Sequence, residues 1–374
     1  MRKDWKYGIL DDAVEKGSSN ISLNKIKDEE GDYPVYGAQG IVANVSFFQQ
    51  SKDYLAIIKD GAGIGRISKH PKNSSILGTM QYIIPKEGYD IDFVKYFLSG
   101  IDFEKHRNGS TIPHVYYKDY KTEPFPLLPL PEQKRIVSIL NKAFSVIDKA
   151  KANAEQNLNN AKGLFESYLS SIFSNGHDWQ KLNLKDISIE FSRGKSKHRP
   201  RGDKSLLGGG YPLIQTGDIA NSNHLLRTFT QTYNEKGLAQ SKLWQKGTIC
   251  IGIVGANVAE TAILDFDACF PDSVIGIVVD ESKANNEYVE YLLQSFKAYL
   301  KEKGKGTARD NINMGTFQNE KFPFPELDEQ IKIANNLNQL SLDCQKLENV
   351  YQQKLFKLEE LKKSILHKAF NGEL

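Results

Sequence analysis

The stretch PLPEQKRIVSILNKAFSVIDKAKANAEQNLNNAKGLFESYLSSIF, residues 129–173, carries the longest helical pattern at the centre of the chain. Pro129 and Pro131 mark its start, because proline does not fit a helix interior. Apolar or small side chains then recur at steps of four and three residues, at Ile136, Leu140, Ala143, Ile147, Ala150, Ala154, Leu158, Ala161, Phe165, Tyr168 and Ile172. This spacing is a heptad stripe with one stutter. It predicts a first long helix of roughly 60 Å, far longer than the mean globular helix.

The same design recurs at the end of the chain. Pro323 and Pro325 precede a second long stripe, which we expect to form a second long helix. Its members are Leu337, Leu340, Cys344, Leu347, Tyr351, Leu355, Leu358, Leu361 and Ile365. The pairs Glu132-Gln133 and Glu329-Gln330 open the two helices at matching places. The chain therefore holds two helices of one pattern, each preceded by a larger globular segment.

The globular segments also repeat each other. Asp4-Trp5 is echoed by Asp178-Trp179, and the Tyr-Pro pair at Tyr33 is echoed at Tyr211. Short apolar runs punctuated by Gly, Asn and Asp predict strands and turns in both. We expect an internally duplicated α+β chain with two mixed α/β domains in tandem. The predicted parts are the first globular domain (1–126), a helix segment at 127–176, the second globular domain (177–322) and a helix segment at 323–374.

We expect the two long helices to bury their apolar stripes against each other. A single apolar stripe must be buried, and the other helix offers a matching surface. Because a globular domain lies between the helices in sequence, an antiparallel coiled coil satisfies both conditions. Such a rod approaches two turns of duplex DNA at ~34–36 Å per turn. The alternative is that each helix packs on its own globular domain.

Composition sets broad limits. The chain has 374 residues, a net charge of +3 and three cysteines, Cys250, Cys269 and Cys344. The odd number of distant cysteines argues against a disulfide framework and favours a reducing cytoplasm. We find neither an apolar signal sequence nor a run long enough to span a membrane. These features predict a cytoplasmic protein of two or three domains.

The densest basic segment lies in the second globular domain. A loop rich in Gly, Ser and Pro carries its cationic side chains at Arg193, Lys195, Lys197, His198, Arg199, Arg201 and Lys204. Such a loop suits DNA phosphates, and Arg can also read guanine. The alternative is a merely solvated loop. Gln215, Thr216 and Asp218 follow in a polar turn, where they either contact bases or cap the turn.

Two smaller polar clusters occupy equivalent places before each long helix. We expect both to contribute to DNA binding, because binding residues concentrate in loops on a rigid scaffold. The first cluster comprises Arg107, Ser110, Thr111, His114, Tyr116 and Lys118. The second comprises Lys305, Arg309 and Asn311.

Signs of catalysis are weak. Asp272, Glu281 and Lys283 satisfy the short spacing used by some Mg²⁺-dependent nucleases. The pattern is degenerate, and the scattered histidines show no nucleophile–base spacing. We predict no catalytic residue and no metal site in this chain. A stand-alone nuclease and a coiled-coil scaffold without DNA binding remain as alternative functions.

At this point the sequence resembles the specificity subunits of type I restriction–modification systems. The resemblance covers nearly the whole chain and rests on the duplicated order and on four kinds of marker. These are the starts at Trp5 and Trp179, the strands YPVYGAQGIV and YPLIQTGDI, the loops GSTIPHVYYKDY and KGTARDNINMGTF, and the helix entries PLPLPEQKRIV and FPFPELDEQIKIA. The basic segment RGKSKHRPRGDKSLLGGGYPLIQTGDI resembles one recurrent type of target recognition domain.

The resemblance implies a function and its partners. Each globular domain would be a target recognition domain that reads one half of a split DNA site, and the long helices would be spacers. Two modification subunits that bind S-adenosylmethionine would methylate adenine, and restriction subunits would use ATP and Mg²⁺ for translocation and cleavage. The chain itself would carry no cofactor and would lie in a bacterial or archaeal cytoplasm. Because the first globular domain lacks a basic run, the two half-sites should differ.

Overall fold

The two globular domains share one sheet topology. The computed structural model describes residues 4–109, 111–175, 178–198, 200, 202–304 and 312–374 of the chain. The described strands of the first globular domain are Tyr7–Ile9 (β1), Val14–Ser18 (β2), Tyr33–Gly37 (β3), Gly40–Val45 (β4), Tyr54–Ile58 (β5), Ile67–His70 (β6), Ser75–Ile76 (β7), Met80–Pro85 (β8), Arg107–Asn108 (β9), His114–Val115 (β10) and Pro124–Pro126 (β11). Its described helices are Leu10–Ala13 (α1), Ile91–Ser99 (α2) and Tyr117–Tyr120 (α3).

The second globular domain repeats this order with additions. Its described strands are Gln180–Leu182 (β12), Ser188–Arg193 (β13), Leu207–Leu213 (β14), Leu225–Leu226 (β15), Gln231–Tyr233 (β16), Leu243–Trp244 (β17), Ile249–Gly252 (β18), Thr261–Leu264 (β19), Ala268–Cys269 (β20), Val274–Val279 (β21) and Phe322–Phe324 (β22). Its described helices are Thr216–Ala220 (α5), Glu235–Ala239 (α6), Asn286–Ser295 (α7), Lys297–Gly304 (α8) and Met314–Gln318 (α9).

The strand order confirms the duplication. One sheet runs β2-β8-β5-β6 in the first domain and β13-β21-β18-β19-β15 in the second. The registers agree as well. Leu55 pairs with Ile83 in the first domain, and the residues 194 positions later, Ile249 and Ile277, pair with each other in the second. A second sheet, β4-β3-β7, corresponds to β16-β14-β20-β17. The equivalent pairs β3–β7 and β14–β20 are both parallel. The central strands are buried on both faces, which explains their continuous apolar runs.

The long helices are Leu130–Asn175 (α4, the first long helix) and Leu327–Phe370 (α10, the second long helix). At 1.5 Å per residue they are on the order of 65–70 Å long, so the prediction of unusually long helices is confirmed. Pro131 lies in the first turn of the first long helix, where its missing N–H leaves no hydrogen bond unmade. The fold class, two mixed domains in tandem with a long helix after each, is confirmed. Among the described residues no helix is both long and hydrophobic enough to cross a bilayer.

The chain forms two compact units, and each contains one globular domain with parts of both long helices. The first unit comprises the chain up to Gln156 together with Tyr351–Leu374, and the second is Asn157–Val350. In the first unit Leu140 of the first long helix and Leu366 of the second enter the same core as Phe93 of α2. The domain core therefore continues onto the long helices.

The helix segments of the first unit run in opposite directions. Asp148 of the first long helix forms an ion pair with Lys362 of the second at 2.9 Å. About one turn further along the first helix, Lys151 pairs at 2.5 Å with Glu359, which lies about one turn before Lys362 in the second. In the second unit Leu169 and Leu337 share a core with Tyr291. The first long helix thus contacts both its own globular domain and the other helix, so the two packing alternatives are not exclusive.

Three positions of the predicted stripes were wrong. Tyr168, Leu347 and Leu361 are exposed, whereas Leu169 and Leu366 are buried. An α-helix has 3.6 residues per turn, so a strict heptad stripe drifts around its surface and the buried edge passes to neighbouring positions. Ile136, Leu140, Ile147 and Cys344 are buried as predicted.

Candidate DNA interface

The basic loop of the second globular domain continues the line of β13. The Gly194 N–H donates to the Val274 carbonyl at 2.8 Å, and the Lys195 N–H donates to the Phe270 carbonyl at 3.1 Å. Gly194 is buried so tightly that a Cβ would lie 2.3 Å from the Phe270 carbonyl oxygen. The first part of the loop is therefore held on the sheet by backbone hydrogen bonds.

This anchoring gives the cations an alternating arrangement. Arg193, Lys195 and Lys197 are exposed, whereas Gly194 and Ser196 between them are buried. In extended backbone, residues two apart point to the same side, about 6.6–6.8 Å from each other. Within the described part of the chain none of the three cations forms an ion pair. The row of three cations, Arg193, Lys195 and Lys197, can therefore face an anionic backbone.

The far end of the loop is held by Gln240 and Asp203. Gln240 Oε1 accepts the N–H groups of Lys197 at 2.7 Å and His198 at 3.0 Å. Asp203 Oδ2 contacts His198 Nε2 at 2.8 Å. The backbone N–H of Ser205, then its hydroxyl and His198, hold the pKa of the Asp203 carboxyl below its usual range. The loop's acid is thus engaged within the loop.

Other predicted residues of this loop have different positions. Lys204 is exposed and begins a turn of 3-10 helix that Asp203 caps. Arg199 and Arg201 lie outside the described residues. The loop therefore contributes four described cations besides His198.

The polar turn at Gln215 has a capping role. Asp218 Oδ2 accepts the Gln215 N–H at 2.8 Å and so closes the first turn of α5. Gln215 and Thr216 are half-buried at the start of that helix. Of the two interpretations that the sequence left open, turn capping describes Asp218. The sequence had placed all three among the DNA-binding residues, and that role remains a prediction.

In the first globular domain three predicted residues form a continuous outer row. His114, Tyr116 and Lys118 alternate with buried Val115 and Tyr117. The rings of His114 and Tyr116 are nearly parallel with centroids 6.1 Å apart, and Lys118 Nζ lies 5.5 Å from the Tyr116 ring centroid. An aromatic and cationic row of this kind can contact base edges and attract phosphates.

Asp60 holds this aromatic row in place. Its Oδ1 contacts His114 Nδ1 at 2.7 Å. The Gly61 N–H donates to the Pro113 carbonyl at 2.9 Å, and the Val115 N–H donates to the Lys59 carbonyl at 2.9 Å. The pre-helix loop is therefore fastened to the turn that follows β5.

Arg107 and Thr111 lie on the other side of the same turn. Together with Gly61, Ala62 and Ile112 they line an open cavity of about 520 Å³. Arg107 Nη1 donates to Glu104 Oε2 at 3.2 Å, which leaves the guanidinium partly neutralised. Ser110 lies outside the described residues.

One hydrogen bond that fastens the first loop recurs in the second domain. The Ile312 N–H donates to the Ile253 carbonyl at 3.1 Å, as Val115 does to Lys59 in the first domain. Lys305, Arg309 and Asn311 lie outside the described residues. The structure therefore gives the attachment of this loop, while the role of its three predicted residues stays a prediction.

Sequence reasoning missed the side chains that hold these loops. Asp60 lies 54 positions before His114, and Gln240 lies 43 after Lys197. A carboxylate directly after a buried strand was a weak signal for Asp60. No local pattern marks Gln240, because its role depends on the sheet that brings it to the loop.

A buried polar cluster in the second domain was also missed. The Glu290 carboxylate is fully buried and accepts from Thr261 at 2.8 Å and from Gln294 at 2.8 and 2.9 Å. His224 Nδ1 contacts the same carboxylate at 2.5 Å, and the His224 ring stacks on Tyr291. Because both side-chain oxygens have hydrogen-bond partners, this arrangement compensates the cost of burying the polar group.

The residues of the nuclease alternative do not meet. Asp272 precedes β21, whereas Glu281 and Lys283 follow it. A six-residue strand alone separates them by about 20 Å, too far to share a metal ion. Lys283 instead contacts Asp280 at 3.3 Å and the Asp186 carbonyl at 3.2 Å. In the described ranges, no three His, Cys, Asp or Glu side chains are grouped to hold a metal ion.

Comparison with known proteins identifies the family. The profile described as "Type I restriction modification DNA specificity domain" matches residues 2–160 and 176–357. The MjaVIII type I restriction enzyme specificity subunit of Methanocaldococcus jannaschii is 26% identical, over 100% of this chain and 93% of that protein. The EcoDI specificity subunit of Escherichia coli is 23% identical, over 99% and 89% respectively.

Solved structures show the same fold. A chain from a study of complex assembly and conformational transition of the type I R-M system has a TM-score of 0.79 at 18% identity, covering 100% of this chain and 99% of its own. The HsdS subunit of Thermoanaerobacter tengcongensis has a TM-score of 0.61 at 18% identity, covering 100% and 98%. With two matched copies of the domain on a duplicated fold, the chain belongs to the type I restriction–modification DNA specificity family.

Proposed function

We propose that this chain is the DNA-recognition subunit of a type I restriction–modification complex and reads a split target, one globular domain per half-site. The observation that carries the proposal is that two copies of the DNA specificity domain each present an outward row of side chains from an anchored loop. The row consists of three cations in the second domain and of His114, Tyr116 and Lys118 in the first. The relatives named as specificity subunits support it over nearly the full length of the chain.

The two rows suit different parts of a DNA contact. Arg193, Lys195 and Lys197 form an extended cationic edge, which suits successive phosphates. The row of His114, Tyr116 and Lys118 combines aromatic faces with one cation, which suits contacts with bases as well as phosphate. Phosphate contacts give affinity and register, and groove contacts give sequence preference.

The long helices suit two roles, spacing and docking. Their length favours a spacer paired as an antiparallel coiled coil, which would set the separation of the half-sites. In the first unit Val146 and Phe356 are each 68% exposed, and in the second unit Leu342 and Val350 are more than half exposed. Apolar side chains in such numbers on helix surfaces favour docking of partner subunits, which we take to be two methyltransferase subunits and the restriction subunits.

We assign no catalytic centre to this chain. In the proposed complex S-adenosylmethionine would be bound by the methyltransferase subunits, and ATP and Mg²⁺ by the restriction subunits. The separation of Asp272 from Glu281 and Lys283 supports this division, because the stand-alone nuclease would need the three groups together.

The test is co-expression with candidate methyltransferase subunits, followed by mapping of methylated adenines in host DNA. We expect one split motif of two short, different half-sites with a fixed unspecified gap. Omission of this chain should abolish methylation at that motif. The matched control is a chain with both rows replaced by Gln or Ala, which should still bind the methyltransferase subunits.

The alternative of a coiled-coil scaffold predicts a different result. No methylated motif would appear, no methyltransferase would bind, and the purified chain would show no affinity for DNA. That combination would reject the proposal and leave the long helices as the functional part of the molecule.

A further inference from the structure

A fully buried glutamine joins the first long helix to the first globular domain. Gln133, in the first turn of that helix, has no exposed surface. Its Oε1 accepts the Asp90 N–H at 2.8 Å, while its Nε2 donates to the carbonyls of Gly88 at 3.0 Å and Leu128 at 2.8 Å. The side chain therefore bridges the end of the sheet, the start of α2 and the entry to the long helix.

Gln330 repeats this bridge in the second unit. It is 1% exposed, its Oε1 accepts the Asn285 N–H at 2.9 Å, and its Nε2 donates to the Pro325 carbonyl at 2.8 Å. Asp90 and Asn285 are equivalent, because each caps the N-terminus of the short helix that follows the sheet. Both glutamines thus bond the residue that starts the domain's short helix.

A second bond of the same kind lies two helical turns further on. Tyr96 of α2 donates its hydroxyl to Asn141, and Tyr291 of α7 donates to Asn338 at 2.7 Å. Asn141 follows Gln133 by eight residues, and Asn338 follows Gln330 by eight. Each short helix is therefore bonded to one long helix at two points on the same face.

Directional bonds at two points restrict the angle between two elements more than apolar contact does. The globular domains differ elsewhere, since each of the two matched sheets has one more strand in the second domain, which also has a basic loop that the first lacks. The paired bonds are nevertheless the same in both. An apolar side chain in place of each buried glutamine would carry a lower desolvation cost, so the repeated polar bonds indicate that the angle itself matters.

We call these paired bonds a clamp, formed by Gln133 and Tyr96–Asn141 in the first unit and by Gln330 and Tyr291–Asn338 in the second. We propose that each clamp fixes the angle between a globular domain and its long helix, and that the two angles together set the gap that the chain accepts between DNA half-sites. These are positioning residues, which act through the loops that touch DNA. The inference rests on the proposed function.

The experiment uses the full chain in complex with its methyltransferase subunits and duplexes that carry the mapped half-sites. The gap is varied one base pair at a time, and binding is measured at each gap. The variants are Tyr96→Phe and Tyr291→Phe, which remove only a hydroxyl, and Gln133→Met, which keeps the volume of the side chain. The control is Tyr54→Phe, which removes a buried bond to Ser74 in the domain core.

We expect the wild-type complex to prefer one gap. In the clamp variants the preference for that gap over gaps one base pair longer or shorter should fall by about fivefold to tenfold, the size of one or two lost hydrogen bonds. Binding to the mismatched gaps should not weaken. Tyr54→Phe should lower the melting temperature and leave the gap profile unchanged.

Two outcomes would overturn the inference. Clamp variants with the wild-type gap profile would show that the bonds do not set the gap. A uniform loss of binding at every gap, like that of a destabilised chain, would assign them a structural role only. Failure of the wild-type complex to bind any split site would instead reject the proposed function, and this result differs from both outcomes above.

Discussion

At the scale of single residues, the row of Arg193, Lys195 and Lys197 owes its exposure to its neighbours rather than to its own charge. Gly194 and Ser196 are buried between the cations, and Gln240 holds the backbone at Lys197. A flexible chain with the same charges would lose more conformational entropy when it orders on DNA. The anchored loop presents the cations already aligned.

Replacing these three cations by Gln should weaken DNA binding and its dependence on salt. Each lost phosphate contact should flatten the slope of log affinity against log salt by about 0.9, so the triple variant should lose roughly 2–3 units. Binding titrations at several salt concentrations measure this slope. Lys185→Gln is the matched control, because Lys185 is exposed three residues before the start of β13, away from the loop, and should leave the slope unchanged. An unchanged slope in the triple variant would place the phosphate contacts elsewhere.

His70 is a buried imidazole in the first globular domain. It is 7% exposed, its Nε2 contacts the Ser68 hydroxyl at 2.7 Å, and its ring lies 4.2 Å from that of Tyr36 between centroids. Burial lowers the pKa of His70 to about 4. The folded domain therefore holds this side chain neutral at a pH where the unfolded chain takes up a proton.

The stability of the first domain should consequently fall as pH drops from about 6.5 towards 4. In this window the unfolded state binds a proton that the folded state excludes, and the loss between pH 7 and 4.5 should be about 2 kcal/mol. Urea unfolding at the two pH values measures it. His70→Phe should remove this part of the pH dependence, while His367→Gln, on an exposed residue of the second long helix, should retain it. Equal pH dependence in wild type and His70→Phe would contradict the assignment.

At the scale of elements, the long helices are held in register by charge as well as by apolar contact. In the first unit the pairs Asp148–Lys362 and Lys151–Glu359 lie on the helix surface. Exposed pairs of this kind contribute only about 0.2–1 kcal/mol each, so the buried side chains supply most of the stability. Leu140, Ile147 and Leu366 are such side chains.

Lengthening both long helices together should lengthen the gap and keep the half-sites. Seven residues inserted after Gln156 and seven before Tyr351 would add roughly 10 Å to each helix and turn its apolar face by only about 20°. At 3.4 Å per base pair we expect a gap longer by at most about three base pairs, as read from the methylated motif. Five-residue insertions are the control, because they turn the apolar face by about 140° and should abolish methylation. A changed half-site with an unchanged gap would refute the spacer role.

At the scale of the whole molecule, the duplication is unequal. Both domains share the central sheet and its register, whereas β15, β17 and the basic loop belong to the second. Because the presented side chains differ, the two domains should read different sequences. The shared parts form the core of each domain.

Exchange of one domain should therefore change one half-site. Replacing residues 178–322 by the corresponding segment of the MjaVIII specificity subunit should yield a methylated motif with one new half-site and one original half-site. Methylation mapping after co-expression is the measurement, and exchange of residues 4–126 is the reciprocal control. A motif changed in both halves by a single exchange would show that the domains do not read independently.

Much of the architecture could be predicted from the sequence because it follows from local periodicity. Both long helices are observed where the stripes predict them, the first starting beside Pro131 and the second two residues after Pro325. Short apolar runs form strands, as at Tyr54–Ile58. Hydrophobic spacing and proline act over a few residues, so they can be read along one dimension. The prediction was wrong at three stripe residues that are exposed. The small difference between the heptad period and the 3.6 residues of a helical turn accumulates along the helix and moves the buried face to neighbouring positions.

The sequence by itself determined the duplicated order, the element types and the regions rich in cationic and polar side chains. Only the tertiary structure decided which side chains act together. Asp60 meets His114, Gln240 meets Lys197 and Gln133 meets Asp90 across more than forty residues of chain. Hydrogen bonds need their partners within about 3 Å at a defined angle, and only the packing of sheets and helices brings such distant groups to that position.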